Sequence, residues 1–231
     1  MEFTLSNNIQ LPLFPNTIDV TFDKFNNPES AADPGEINTG ALANSAYVTM
    51  ITLLPTSKSI KIYEYYDGVH LSINEVDFLL TTQEEEQYLV YGLTQEYFSN
   101  NLSALTNLET FSYTSRFPSE TNYSSFTHAP PQLKIFQFST TTGLNQHFMQ
   151  NATQLHFEQF DANDHALIPH NLEKLTINTL SVETPANLES FLEKLRNTDS
   201  FLQLTIEELD CDIDDVQNML GRYLPDKWSY L

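Results

Sequence analysis

The sequence predicts an α/β chain: a parallel sheet on one side, with helices and loops returning behind it as in a short solenoid. Three observations predict it. A short apolar spacing recurs at intervals of about 20 to 30 residues, each copy alternates apolar and polar residues as a half-buried strand does, and amphipathic helical segments lie between copies.

The spacing is a large apolar residue, two others, an apolar residue, one other, and an apolar residue. It occurs at Leu108-Glu-Thr-Phe111-Ser-Tyr113, at Leu133-Lys-Ile-Phe136-Gln-Phe138 and at Ala152-Thr-Gln-Leu155-His-Phe157. Leu172-Glu-Lys-Leu175-Thr-Ile177 and Phe201-Leu-Gln-Leu204-Thr-Ile206 continue it. Weaker copies stand at Ile18–Phe22, Ile60–Ile62 and Trp228–Tyr230. The last two apolar positions bury one face of a strand, and the first closes the turn that leads into it. From Phe111 through Phe136, Leu155, Leu175, Leu204 and Trp228, the central apolar residues are 25, 19, 20, 29 and 24 residues apart.

Between the copies, Pro185–Leu195 predicts an amphipathic helix with Pro in its first turn and Lys194 and Arg196 at its end. A second helix is predicted over 212–220, before Gly221 and Pro225. Segments 143–150 and 161–168 are short enough for loops or single helical turns. In the N-terminal half, a strand at 18–22 precedes a Pro/Gly/Asn-rich loop (26–40), a helix at 41–54, a strand at Ser59–Tyr65 and a helical stretch over 83–99. No linker composition interrupts the chain. Residues 1–231 therefore read as a single domain, with 1–103 as divergent repeats or a cap and 104–231 as the clearer repeats.

These copies resemble leucine-rich repeats, in the irregular form found in F-box-type substrate receptors. The resemblance implies a sheet on the concave side and a binding scaffold. The family's Asn, three places after the second strand leucine, is replaced here by Arg116, Thr141, Phe160, Leu180 and Leu209. Leu11-Pro12 is not followed by the helical pattern of an F-box.

Composition narrows the function. Ten basic residues against 31 acidic ones give a net charge of −21, which repels nucleic acid and anionic membranes and attracts basic proteins. With 16 Phe and 11 Tyr, the apolar mass favours an ordered fold over an acidic tail. A single cysteine, Cys211, allows no internal disulfide, and its acidic sequence neighbours blunt a thiol's reactivity. No apolar run is long enough for a membrane span, and the first residues lack a signal-peptide pattern, so the expected compartment is cytoplasmic or nuclear.

The candidate chemistry fails on spacing. Asp210, Asp212 and Asp214 begin like a calcium loop, but Asp215 replaces the turn glycine and Gly221 replaces the bidentate Glu. These acids read as the cap and first turn of the 212–220 helix, and Glu84–Glu86 likewise as the start of the 83–99 helix after Thr81 or Thr82. His165 and His170, near Asp161 and Asp164, are separated by Pro169 and read as a surface loop. His70, His128 and His147 have no assigned role. There is no Gly-x-Ser-x-Gly elbow and no phosphate loop. The expectation is a non-enzyme without cofactor or metal.

The residues flanking the strand apolars should line the concave face. They are Asp19, Thr21, Lys61, Tyr63, Thr110, Ser112, Ile135, Gln137, Gln154, His156, Lys174, Thr176, Gln203 and Thr205. One step further come Asp23, Thr114, Ser139, Glu158, Asn178 and Glu207. All but Tyr63 and Ile135 are plainly polar, as a solvated face requires. The expected partner-binding residues are Tyr63, Ile135, Gln137, His156, Glu158, Thr176 and Glu207. The expected function is an adaptor, binding a protein partner inside a larger complex. The alternatives are an acidic chaperone of a basic client (histone or ribosomal protein type) and a substrate receptor for ubiquitin ligation.

Overall fold

The computed structural model describes residues 20–22, 57–65, 68–73, 76–81, 95, 98–99, 102–211 and 216–230. Among them, ten strands form one sheet. They are β1 (Val20–Phe22), β2 (Ser59–Tyr65), β3 (Gly68–Ile73), β4 (Val76–Thr81), β5 (Thr110–Ser115), β6 (Ile135–Phe138), β7 (Gln154–Asp161), β8 (Lys174–Ser181), β9 (Gln203–Asp210) and β10 (Trp228–Tyr230). Their order across the sheet is β1-β4-β3-β2-β5-β6-β7-β8-β9-β10.

Phe111, Phe136, Leu155, Leu175, Leu204 and Trp228 fall in one register row across β5 to β10, all parallel. The leading apolar residues Leu108, Leu133, Ala152, Leu172 and Phe201 are each fully buried, as a residue closing the turn into a strand must be. A recurring backbone step accompanies them. The Lys58 carbonyl accepts from the Glu109 and Thr110 amides, and the Glu109 carbonyl from Lys134 and Ile135. The carbonyls of Lys134, Thr153 and Glu173 repeat the pattern one strand on each time, all at 2.8–3.1 Å.

The sheet is not parallel throughout. β3 runs antiparallel to both β2 and β4, and β4 then pairs in parallel with β1. The sequence reading passed from the 59–65 strand directly to a helix and missed β3 and β4, which stand between β1 and β2 in the sheet. Of the predicted 83–99 helix, Gln95, Phe98 and Ser99 are helical. The rest of that helix lies outside the described residues, as do the 26–40 loop, the 41–54 helix, Asp19, Asp23 and the caps read at Asp212 and Asp214. Thr81, read as a cap, ends β4.

Three of the described helices lie behind the sheet. In α1 (Gln146–Met149) the Asn145 side chain accepts from the Phe148 amide. In α2 (Pro185–Arg196) Thr184 caps the Asn187 amide and Leu188, Phe191, Leu192 and Leu195 are buried. In α3 (Val216–Tyr223) Val216 and Leu220 are buried. A 3-10 turn at Ala162–Leu167 fills the short connection read at 161–168.

The core between these elements and the sheet is aromatic. Phe126 meets Phe111 with ring centroids 5.5 Å apart, Phe148 meets Phe136 at 5.4 Å and Phe191 meets Phe160 at 5.6 Å. Burying each such side chain contributes on the order of 2–3 kcal/mol.

Towards the ends of β7, β8 and β9 the chain builds an apolar row. Phe160, Leu180 and Leu209 are register partners on β7, β8 and β9; the first two are buried and Leu209 packs against the core. On β7 the core side takes Leu155, Phe157 and then Phe160, so strict alternation slips by one residue at Glu158 and Gln159. The strand still continues, pairing Asp161 with Ser181 and Ser181 with Asp210.

Candidate partner-binding face

Because the described helices and loops pack on the core side, the other side of β2 to β10 presents rows of side chains set by the register. The row at the strand starts runs Ser59, Thr110, Ile135, Gln154, Lys174, Gln203. The middle row runs Ser72, Lys61, Ser112, Gln137, His156, Thr176, Thr205, Ser229. At the third level His70 pairs with Tyr63 and Tyr63 with Thr114, while Glu158, Asn178 and Glu207 lie further along β7, β8 and β9.

The seven expected binding residues all fall on this face, but not as one cluster. Gln137, His156 and Thr176 are direct register neighbours, each half-buried. Ile135 is 37% exposed, on the row before them. Glu158 and Glu207 belong to the third level. Tyr63, 41% exposed, stands three strands from Glu158, which at about 4.8 Å per strand is roughly 14 Å.

Three positions expected on the open face are buried instead: Ser112, Thr114 and Ser139. Ser112 and Thr114 are short side chains flanked by Lys61 and Tyr63 on β2 and by Gln137 on β6, so they sink below their neighbours. Ser139 lies just past the end of β6. Its hydroxyl donates to the Ser115 carbonyl at 3.1 Å and accepts from the Ser115 amide at 2.6 Å, which turns it into the core.

Cross-strand hydrogen bonds order the face. His156 Nε2 and Asn178 Oδ1 are 2.8 Å apart, so an Nε2-protonated ring donates to the amide oxygen. Thr205 and Ser229 hydroxyls are 3.3 Å apart on the middle row. On β2, Tyr63 and Tyr65 stack with centroids 6.3 Å apart and planes at 10°, beside His70. The sequence reading missed Tyr65 and His70. The β2 alternation places Tyr65 on the same side as Tyr63, so that signal was present.

A buried polar cluster supports the platform from behind. Glu64 follows Ile60 and Ile62 onto the core side and is 5% exposed. Burial raises its carboxyl above the ordinary value, and hydrogen bonds from Tyr113 and Ser115 partly offset this. Tyr113 donates to the Glu64 carboxylate. Tyr123 donates to the Tyr113 carbonyl at 2.9 Å and accepts from the Ser139 amide at 3.2 Å. Burial pushes the Tyr123 hydroxyl well above its usual range, which keeps it a donor. The cluster ties together the C-terminal ends of β2, β5 and β6, where the antiparallel strands join the parallel ones.

The residues screened for chemistry serve local structure. Asp161 accepts from the Asn163 amide, Asp164 from Thr141, and His165 Nδ1 lies 3.1 Å from the Ala162 carbonyl. Among the described residues, no three His, Cys, Asp or Glu side chains converge as metal ligands, and no helix is long and apolar enough to cross a membrane. An open hollow of about 580 Å³ at the strand starts is lined by Lys58, Thr106, Asn107, Glu109, Pro131 and Gln132. Set beside protein-family models, characterised proteins and solved structures, the chain matches none of them.

Proposed function

We propose that the chain is a non-enzymatic protein-interaction module, an irregular leucine-rich-repeat-like solenoid that holds a protein partner on the open face of its sheet as an adaptor or complex subunit. The observation that carries this reading is the face itself. It is seven strands wide from β2 to β10, with Tyr63 and Ile135 exposed among ordered polar side chains. Seven strands and three rows of side chains cover roughly 700 Å², close to the ~800 Å² that one partner contributes to a standard interface. The repeating carbonyl step at the strand entries supports the solenoid.

The three rows contain Lys61 and Lys174 against Glu158 and Glu207, so this face is close to neutral on a chain of net charge −21. Shape and aromatic contact therefore hold the partner there more than charge does.

The test is cross-linking affinity purification with the wild-type chain, with Tyr63→Ala/Ile135→Ala, and with the charge reversal His156→Glu/Glu158→Lys. Both double variants should keep the wild-type circular dichroism spectrum and lose the same specific partner, by at least about 30-fold for a hot-spot tyrosine. Undiminished capture by both variants sinks the assignment.

A further inference from the structure

We propose that His128 and His147 form a surface site for a divalent transition ion of the zinc and copper class, on the side of the sheet away from the open face. It does not depend on the protein-binding reading above.

The two histidines stand far apart in sequence, on segments that the core fastens together. His128 follows Phe126 in the connection between β5 and β6, and His147 precedes Phe148 in α1. Phe126 and Phe148 are buried and meet with ring centroids 5.6 Å apart. Asn145 joins the same two segments: its Nδ2 donates to the Phe126 carbonyl at 3.0 Å, and its Oδ1 accepts from the Phe148 amide at 2.9 Å. Above this base both histidines are exposed. Their rings stand edge to face, with centroids 6.1 Å apart and planes at 89°.

A zinc–nitrogen bond of about 2.0–2.1 Å puts an imidazole centroid roughly 3.2 Å from the ion, so two rings on one ion have centroids ~5.2 Å apart at the tetrahedral angle and ~6.4 Å at most. The pair at 6.1 Å lies within that reach, and rotation of two exposed side chains by under about 1 Å brings it to the tetrahedral value. The Thr127 hydroxyl lies 2.8 Å from His128 Nδ1. With the proton on Nδ1, that bond fixes the ring and leaves the Nε2 lone pair for the ion, as a hydrogen bond on the far nitrogen does in metal-binding histidines. Among the described residues no third His, Cys, Asp or Glu side chain joins the pair, so water completes the coordination. Paired imidazoles select zinc, copper or nickel, whereas magnesium and calcium require oxygen ligands. The net charge of −21 raises the concentration of any cation near the surface.

The test is isothermal titration calorimetry of the full chain with zinc chloride, in excess magnesium chloride to occupy surface carboxylates. Wild type should bind one zinc ion per chain. His128→Ala and His147→Ala should each weaken that binding at least about tenfold, since a single imidazole cannot chelate. Thr127→Val should weaken it by a smaller factor. His170→Ala removes an exposed imidazole elsewhere on the surface and should leave it unchanged. Both site histidines are exposed, so circular dichroism should show the wild-type fold; if His147→Ala unwinds α1, His147→Gln takes its place with the same expectation. No zinc uptake by wild type, wild-type affinity in either site variant, or an equal loss in His170→Ala overturns the proposal. None of these variants touches Tyr63, Ile135, His156 or Glu158, so a failed zinc site leaves the outcome of partner capture unaffected.

Discussion

Phe160 stands in register with Leu180 on β8 and Leu209 on β9, and replacing it tests whether that row is apolar throughout. The ring is 1% exposed and packs on Phe157 at 5.2 Å and Phe191 at 5.6 Å, joining β7 to α2. Phe→Ala at a site enclosed from both sides costs about 3–5 kcal/mol. For a chain of 231 residues that corresponds to a fall in Tm of roughly 6–10 °C. Phe160→Leu matches the side chains of Leu180 and Leu209 and should cost less than about 1.5 kcal/mol. Phe160→Asn leaves the same cavity and adds a buried amide flanked by leucine, so it should be worse than Phe160→Ala by about 1–3 kcal/mol. Calorimetry and urea titration of the three variants provide the assay. If Phe160→Asn proves as stable as Phe160→Ala or more so, the amide has found ladder partners and the apolar-row argument is wrong.

Two further outcomes follow from the core. Burial raises the Glu64 carboxyl above 4.5, so over a range of pH the folded chain keeps a proton that the unfolded chain has lost. Its stabilising contribution is complete below the unfolded-state value and disappears as pH rises through the folded-state value. Glu64→Gln retains an acceptor for Tyr113 but cannot titrate, and should remove that fall from a plot of unfolding free energy against pH; a plot identical to wild type refutes the reasoning. Gly143 has φ +78°, and a methyl group there would lie 2.6 Å from the Ser124 amide nitrogen and against Asn122 Oδ1. Gly143→Ala should therefore lower stability by about 1–3 kcal/mol, measured by urea unfolding, and an unchanged midpoint would show that the 140–144 turn relaxes freely.

The fold was legible where one periodicity dominates. From Leu108 onward each strand through β9 has two alternating apolar residues after a buried lead, and the register row runs on from Phe111 to Trp228 of β10. Helix α2 was equally plain, since Thr184, Pro185 and the 188/191/192/195 stripe agree on start and face. β3 and β4 were missed because the search was for the repeat spacing, which neither carries. Their own signal was different: Asp67-Gly68 is a hairpin dipeptide, and Val69, Leu71 and Ile73 alternate after it. A single-period search passes over a strand that reverses direction.

The face was legible in its sidedness and less so in its relief. Alternation says which side a residue takes, and it placed Tyr63, Ile135 and the Gln137–His156–Thr176 row correctly. It says nothing about the heights of neighbouring side chains, which is why Ser112 and Thr114 were read as exposed. The β2 alternation puts Glu64 on the core side, and Tyr113, Ser115, Tyr123 and Ser139 supply the polar shell that makes burial tolerable. Net charge was the least informative guide to this surface. The −21 belongs to the chain as a whole, while the three open rows balance Lys61 and Lys174 against Glu158 and Glu207.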